Sequence, residues 1–264
     1  LTDPVLAASP SLRKAISLGI DVDSYIDVLF NGRGIPAINC IPAALAESDP
    51  ASYAAHTQAG QGDYYRYDPE EAARMLVQAK AELDAAGLLV DGEIPTLNLY
   101  VHRTDTAGQN IGDFFTQQFR NMGLSLDVHL NDWATHQEKI GSGLAQTYTM
   151  GWAADYPDAE NFLQLFYSGN YNGDGEPTYK NDRFDELYET VRIMPDSPER
   201  TALYAEMTQI INDDCPVRFI SEPVNFVLSY TWVKNFKPHP VGYGYAKYRR
   251  VDTDLRDELG GRDR

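Results

Sequence analysis

Apolar residues recur every three or four positions over the first part of the chain, which is the spacing of amphipathic helices. This spacing predicts a helix over residues 11–20 and, after the capping residue Asp21, a second helix over residues 22–30. A third helix begins after Asp68, an acidic cap followed by Pro69 at the first helical position. Its predicted buried stripe consists of Ala72, Leu76, Ala79 and Leu83.

The middle of the chain changes to the alternation of apolar and polar residues that is typical of strands. Residues 97–101 and 124–130 alternate in this way, and a helix is predicted between them over residues 111–122. Strand, helix and strand within about 35 residues form a βαβ unit, so these two strands should be parallel. The later elements are a helix over 133–141, a strand over 147–152, helices over 182–193 and 198–212, and strand structure over 217–228 that completes the sheet. The predicted fold is α/β, with a mostly parallel sheet and helices on both faces.

Two parts of the chain lack a clear pattern. Residues 34–65 contain prolines and glycines without periodicity, so we predict an irregular segment that packs against a partner or has a function of its own. Beyond about residue 225 the pattern weakens again, and we expect the last residues, 260–264, to form a frayed tail.

The segment 150–163, MGWAADYPDAENFL, joins the end of a predicted strand to the start of a helix. Pro157 favours a turn and disfavours helical geometry at Tyr156, so Trp152, Asp155 and Tyr156 should lie at the carboxyl end of the strand. Open α/β sheets bind ligands at that edge, which makes these three residues candidate ligand contacts. In the alternative, structural interpretation Trp152 lies in the core, Asp155 caps a turn and Asp158 caps the next helix.

Charge restricts the classes of partner. The 22 basic residues against 39 acidic ones give a net charge of −17, which argues against nucleic acid and anionic membranes. No apolar run approaches the ~20 residues of a membrane span. The chain starts at Leu1 without a signal peptide or a lipid-attachment cysteine, so we expect a soluble mature chain or an excised piece. Cys40 and Cys215 lack metal-binding spacing, and the sequence leaves a disulfide between them open.

The sequence contains no familiar catalytic motif. A Gly-x-Ser-x-Gly elbow, a His-Glu-x-x-His pair and a glycine-rich phosphate loop are all absent. His136 and Glu138 are two positions apart, which places them on different sides of a helix. We therefore expect a protein that is not an enzyme and that uses neither a metal nor a cofactor.

Four stretches, in one order along the chain, resemble bacterial extracellular solute-binding proteins of family 5, the oligopeptide-, dipeptide- and nickel-binding receptors of ABC importers. The segment 150–163 resembles the family signature Trp-x-x-Asp-Tyr-Pro-Asp-Pro-x-Asn-Phe-Leu, with Ala159 where the family often has proline. Residues 12–26, LRKAISLGIDVDSYI, are similar to its Arg-x-Ala segment, and residues 179–187, YKNDRFDEL, to its Tyr-x-Asn-x-x-Phe-Asp-x-Leu segment. Residues 199–219 resemble its Glu-Arg-x-x-Leu-Tyr…Ala-Pro-Val pattern, with Cys215 in place of the alanine.

The resemblance implies one lobe of a periplasmic-binding-protein type II fold. Residues 1–224 would form the C-terminal lobe, and residues 225–264 would cross back toward the N-terminal lobe. The implied function is that of a monomeric receptor, periplasmic or a cell-surface lipoprotein, which captures an oligopeptide or dipeptide and delivers it to the transmembrane subunits of an ABC permease. One alternative is an oligosaccharide or other solute, which tryptophans and tyrosines could bind by stacking. An alternative of a different class is a protein-interaction module without a small-molecule ligand.

The resemblance also implies roles for individual residues. Asp155 would pair with the α-ammonium group of a peptide, and Trp152 would form an apolar wall or a cation–π face beside it. Trp133 matches a family tryptophan that lines a side-chain pocket, although it could equally anchor its helix to the sheet. The loop after the first parallel strand would place His102 or Arg103 near a ligand carboxylate.

The length of the ligand stays open at this point. Some peptide receptors of the family carry an arginine three residues before the signature tryptophan, where it contacts the carboxylate of short ligands. Thr149 occupies that position in this chain.

Overall fold

The computed structural model describes residues 3–47, 49–170, 179–237 and 245–260. The helices in these ranges are α1 (Pro4–Ala8), α2 (Pro10–Gly19), α3 (Val22–Phe30), α4 (Pro50–Ala59), α5 (Pro69–Ala85), α6 (Thr106–Asn121), α7 (Trp133–Gly141), α8 (Glu160–Leu163), α9 (Asp182–Val191), α10 (Pro198–Asp214) and α11 (Thr253–Glu258). The strands are β1 (Gly34–Pro36), β2 (Leu97–Val101), β3 (Leu126–Leu130), β4 (Thr147–Tyr148), β5 (Ser221–Pro223), β6 (Val233–Lys234) and β7 (Arg250–Val251). Short 3₁₀ turns lie at Ala43–Glu47, Gln164–Phe166, Ser168–Asn170 and Tyr245–Tyr248.

Side-chain caps set where the predicted helices begin. The side chains of Asp21, Asp68 and Ser197 each accept one free N–H group, from the third residue of α3, α5 and α10 respectively. Proline occupies the first helical position of α5 and α10, where its missing N–H costs no hydrogen bond. The predicted starts of these helices are therefore confirmed. Within the described ranges, no helix has both the length and the apolar character that crossing a membrane requires.

The central sheet has three strands in the order β3–β2–β4, and all of them are parallel. β2 and β3 run in register from the pair Leu97 and Leu126 to the pair Val101 and Leu130. Because α6 connects these two strands, the predicted βαβ unit is confirmed. The strand predicted over 147–152 is shorter than expected, since the chain leaves the sheet after β4.

Helices cover both faces of this sheet. On one face Leu99 and Val101 are buried against α3 and α6. On the other face Tyr100 stacks on His129, with a distance of 4.7 Å between the ring centroids. The ammonium group of Lys139 in α7 lies 5.6 Å from the centre of the Tyr100 ring. The predicted α/β arrangement, a parallel sheet between helices, is therefore confirmed.

Three groups of buried apolar side chains hold the elements together. The first joins α1, α2 and α5 to the start of β2, and the second joins α3 and α6 to its end. The third is built on α4, α8, α9 and α10 and includes Phe162, Leu163, Phe184, Tyr204 and Met207. Because α8 directly follows the segment 150–159, the third group fixes the far end of that segment.

The prediction of an irregular segment over residues 34–65 was wrong. This segment contains β1, a 3₁₀ turn and the 10-residue helix α4. Asp49 caps α4 and Pro50 starts it, but its buried positions are Ser52, Ala55 and His56. Because hydropathy does not mark such small and polar residues as a buried stripe, the periodic pattern did not reveal the helix.

The strand structure predicted over residues 217–228 does not complete the central sheet. β5 instead pairs antiparallel with β1, with Ile35 opposite Glu222. The carboxylate of Glu222 also accepts hydrogen bonds from the N–H groups of Ala43 and Ala44, at 3.0 and 3.3 Å. These bonds fix the strand pair beside the 3₁₀ turn, so the segment before α4 is held by residues of this same chain.

Replacing Gly108 with alanine should lower the free energy of unfolding by about 1–3 kcal/mol. A Cβ atom at this position of α6 would lie 2.4 Å from the carbonyl oxygen of Arg103, and a backbone atom cannot rotate away as a side chain can. Gly141 is the matched control, because a Cβ atom there meets no atom within 4 Å and alanine favours the helix. Urea unfolding should show a loss of stability for Gly108→Ala and none for Gly141→Ala. Equal stability of the two variants would contradict the close contact.

Candidate functional site

Three loops leave the carboxyl edge of the central sheet, the edge at which parallel sheets form ligand sites. Residues 102–105 follow β2, residues 131–132 follow β3, and residues 149–159 follow β4. Aspartates start the helices after the first two strands, since Asp105 caps α6 and Asp132 caps α7. The six predicted site residues all lie on these loops or at the first position of α7.

His102, Trp133 and His136 lie together at the end of β4. The ring centroid of His102 is 5.8 Å from that of Trp133 and 5.5 Å from that of His136. Nε2 of His136 donates to the carbonyl oxygen of Thr149 at 3.1 Å, and Nδ1 of His102 lies 3.3 Å from that oxygen and 3.2 Å from the Thr149 hydroxyl oxygen. The structure therefore brings the predicted residues His102 and Trp133 together, with His136 beside both of them. His136 was not selected as a site residue from the sequence.

The side chain of His136 is fully buried. Its bond to a carbonyl places the proton on Nε2, and the buried Nδ1 has no hydrogen-bond partner among the described residues. Burial lowers the pKa of the His136 imidazole, the bond to Thr149 opposes this shift, and the nearby His102 reinforces it. The folded protein therefore disfavours the protonated form of His136.

We expect His136 to make folding stability fall as the pH drops below about 6.5, and His136→Gln to reduce this fall. The unfolded chain takes up a proton at His136 near the ordinary pKa of about 6.5, whereas the folded protein takes it up only at lower pH because its pKa is lowered. Between the two pKa values the unfolded state binds more protons, so the free energy of unfolding decreases as the pH falls. Urea unfolding at several pH values measures this slope. His129→Gln, at a partly exposed histidine, is the control, and an unchanged slope in His136→Gln would refute the assignment.

Trp152 and Asp155 are joined by the side chain of Asn161, in the first turn of α8. Oδ1 of Asn161 accepts from the indole Nε1 of Trp152 at 2.9 Å and from the backbone N–H of Asp155 at 3.1 Å. Trp152 is 46 % exposed, so the structural interpretation that placed it in the core is wrong. The sequence analysis did not select Asn161, although an amide directly before the apolar Phe162 and Leu163 was a signal that could have marked it.

The two charged candidates differ in their partners. Asp155 is exposed, and its carboxylate takes part in no ion pair with another described residue. Arg103 is paired with Asp105, with Nη2 and Nε at 2.6 and 3.1 Å from the two carboxylate oxygens. The Arg103 guanidinium and the N–H of Gly108 lower the pKa of Asp105 to about 2, so this pair stays ionised. Of the two candidates, Asp155 is the one whose charge is available to a ligand.

Tyr156 is exposed at the surface, and its hydroxyl forms a hydrogen bond within the chain. The residue is 43 % exposed, and its hydroxyl donates to Glu160, which also accepts from Tyr188. Burial raises the pKa of Tyr156, and the Glu160 carboxylate adds to the shift. The hydroxyl therefore stays protonated, and the exposed ring face is what Tyr156 can offer to a ligand.

Asp158 anchors the loop that carries these residues. Its carboxylate accepts from Nη1 of Arg200 and from the hydroxyl of Tyr204, each at 2.8 Å. It also accepts from the N–H of Glu160, the first residue of α8, at 3.0 Å, but the capping position of that helix is Ala159, and the two side-chain partners of Asp158 come from α10. The N–H of the next residue, Ala159, donates to the hydroxyl oxygen of Ser52 in α4 at 2.6 Å. Side chains of α4 and α10 therefore hold this loop in place.

The two cysteines are buried and are not joined by a disulfide. Sγ of Cys40 lies 3.7 Å from the hydroxyl oxygen of Thr208, and burial raises the pKa of the Cys40 thiol to about 12. Burial also raises the pKa of Cys215, so neither thiol is activated as a thiolate nucleophile. In the part of the chain that the structure describes, His, Cys, Asp and Glu residues form no group of three or more that could hold a metal ion.

Comparison with known proteins identifies relatives of this chain. The family model described as bacterial extracellular solute-binding proteins, family 5 Middle, matches residues 3–174. Di/tripeptide-binding protein 2 of Pseudomonas aeruginosa is 25% identical over 253 residues, which cover 93% of this chain and 43% of the relative. Heme-binding protein A of Haemophilus influenzae is 23% identical over 233 residues, which cover 88% of this chain and 40% of the relative.

A solved structure shows the same fold. The periplasmic binding protein DppA of Helicobacter pylori, in complex with the peptide STSA, superposes with a TM-score of 0.73 at 22% identity. The superposition covers 95% of this chain and 45% of that one. The chain therefore has the fold of part of a type II periplasmic binding protein and spans less than half the length of the three relatives described above.

Proposed function

The chain belongs to the bacterial extracellular solute-binding proteins of family 5, and we propose that it forms the C-terminal lobe of a two-lobed peptide receptor. The receptor captures an oligopeptide or dipeptide between its lobes and delivers it to the transmembrane subunits of an ABC permease. It acts as a monomer, in the periplasm or as a cell-surface lipoprotein, and it catalyses no reaction.

In this proposal residues 1–224 form the lobe and residues 225–264 cross back toward the other lobe. Pairing with the lobe extends to Val224, whose N–H bonds to the carbonyl oxygen of Arg33 at 3.3 Å. Beyond it Phe226 is 77 % exposed and Leu228 is 97 % exposed. A second lobe packed here would remove this apolar surface from water. Residues 238–244 and 261–264 of the crossing segment lie outside the described residues.

The observation that supports the proposal best is the exposed Asp155 carboxylate, unpaired within the described residues, beside the exposed ring of Trp152. When the lobes close, water leaves the cleft and an ammonium group gains a charge-assisted hydrogen bond to this carboxylate. A ligand that contacts both lobes stabilises the closed state by its differential affinity. The backbone of a peptide could bond along a strand edge while its side chains contact the exposed Trp133 and Trp152.

Two alternatives differ in the support they receive. An oligosaccharide could stack on Trp133 and Trp152, which are 49 % and 46 % exposed. The interpretation as a protein-interaction module was favoured if residues 34–65 pack against another chain. Ile41, Leu45 and Ala55 of that segment instead lie in this chain's own core, which removes the observation that favoured an interaction module.

Calorimetric titration of the full-length receptor with a di- to pentapeptide library tests the proposal. We expect saturable heat with peptides and none with oligosaccharides or heme. Heat with oligosaccharides alone would move the assignment to saccharide binding, and heat with heme alone would move it to a porphyrin. Heat with none of the three would remove the proposed ligand class.

The present chain should bind the same peptide at least about tenfold more weakly than the full-length receptor, which corresponds to a loss of about 1.4 kcal/mol. The physical reason is that the contacts from the second lobe, which stabilise the closed state, are missing. Titration of both proteins with one peptide measures the difference. Equal affinities would show that the second lobe does not contribute to binding.

A further inference from the structure

Asn161 connects the two residues on which the proposed ligand site depends. Its side chain is fully buried in α8 and points back toward the loop. A single atom, Oδ1, receives the indole N–H of Trp152 at 2.9 Å and the backbone N–H of Asp155 at 3.1 Å. The ring of one ligand contact and the backbone of the other are thus held by the same amide oxygen.

The orientation of this amide is determined by its partners. Both partners are donors, so the carbonyl oxygen and not the NH₂ group must face them. Nδ2 is buried on the other side and has no hydrogen-bond partner among the described residues. A buried donor without an acceptor is unfavourable for folding, and the two hydrogen bonds that Oδ1 accepts offset this cost.

The residues on either side of Asn161 are fixed in the lobe. Its neighbours Phe162 and Leu163 lie in the core formed with α4, α9 and α10. The residue three positions earlier, Asp158, is bound to Arg200 and Tyr204 of α10. Asn161 therefore has a fixed position in the lobe and transmits that position to Trp152 and Asp155.

We propose that Asn161 is a positioning residue for the ligand site, an inference that rests on the proposed peptide-binding function. It sets the plane of the Trp152 ring and the backbone of Asp155 before a ligand arrives. Binding then does not have to order these two groups, and groups that are ordered in advance give higher affinity. Asn161 itself does not contact the ligand.

The first test compares peptide affinities in the full-length receptor. Asn161→Ala should weaken binding about tenfold, because Trp152 and Asp155 lose their common acceptor. Trp152→Phe keeps an aromatic ring but lacks the N–H that Asn161 receives. If Asn161 acts through Trp152, the double variant should bind much more tightly than the product of the two single effects predicts.

The second test follows the hydrogen bond itself. In ¹⁵N-labelled protein the indole N–H signal of Trp152 is identified by its loss in Trp152→Phe. We expect this N–H to be protected from exchange with solvent in the parent and unprotected in Asn161→Ala. Asn161→Asp keeps an acceptor at Oδ1 but adds a charge at a buried position, so it should retain the protection of the indole N–H while it lowers the free energy of unfolding.

These measurements separate the two proposals. A parent receptor that binds no peptide removes the proposed function, whereas protection of the indole N–H is still measurable in that case. If the parent binds peptide, either of two results for Asn161→Ala would overturn the positioning role. One is an affinity equal to that of the parent, and the other is an indole N–H of Trp152 that stays protected from exchange. Additive effects of the two single variants would overturn the part of this role that acts through Trp152.

Discussion

Replacing Asp155 with asparagine should weaken the binding of peptides to the full-length receptor by at least about 30-fold, or about 2 kcal/mol. The closed cleft leaves the ligand ammonium group without water, and the variant leaves it without an opposite charge as well. The change keeps the size of the side chain and does not touch the backbone N–H that Asn161 receives. Calorimetric titration with one free-amine peptide measures the loss.

Two controls make this experiment specific. Asp113→Asn removes the same charge from an exposed position in the middle of α6 and should leave the affinity unchanged. An N-acetylated peptide, which lacks the ammonium group, should bind the parent and Asp155→Asn equally weakly. If the free-amine peptide binds both proteins with the same affinity, Asp155 is not the partner of the amine.

Replacing Arg200 with methionine should lower the free energy of unfolding by about 3 kcal/mol. Arg200 is 8 % exposed, and its guanidinium donates to Asp158, to Asp196 and to the carbonyl oxygen of Val191. The variant keeps an apolar stem but leaves the carboxylate of Asp158, which is 23% exposed, without its cation. We expect the lower end of the range for a broken buried pair because Asp158 retains some contact with water.

Urea unfolding of matched variants checks this result. Arg192→Met removes an arginine from a surface pair with Glu189, in which both side chains are nearly half exposed, and should cost less than about 1 kcal/mol. The double variant Arg200→Met, Asp158→Asn should recover part of the loss because it removes the uncompensated charge. A cost for Arg200→Met as small as that for Arg192→Met would show that the anchor of the loop is not this ion pair.

Local sequence patterns were sufficient for the helices and strands whose burial follows hydropathy. The caps at Asp21, Asp68 and Ser197 act on N–H groups three residues away, so the information lies within one turn of the chain. The alternation of β2 and β3 with a helix between them predicted a parallel pair and hence the edge where a ligand would bind. The family signature in 150–163 then named Trp152 and Asp155 as candidates at that edge.

The same patterns did not reveal elements whose buried residues are small or polar. The helix α4 buries Ser52, Ala55 and His56, and hydropathy does not distinguish these residues from an exposed face. For the same reason His136 was not recognised as a fully buried side chain. Ser52, His56 and His136 are buried with hydrogen bonds to Ala159, Ile41 and Thr149, and these partners lie at least 13 residues away in the sequence.

Only the tertiary structure decided which residues meet. It pairs β1 with β5, brings His102 and His136 to the carbonyl oxygen of Thr149, and places Arg200 of α10 against Asp158. A periodic pattern indicates that one face of an element is buried, but it contains no information on which other element packs against that face. The partner depends on how complete elements pack, and hydrogen bonds form only where that packing brings a donor within about 3 Å of an acceptor.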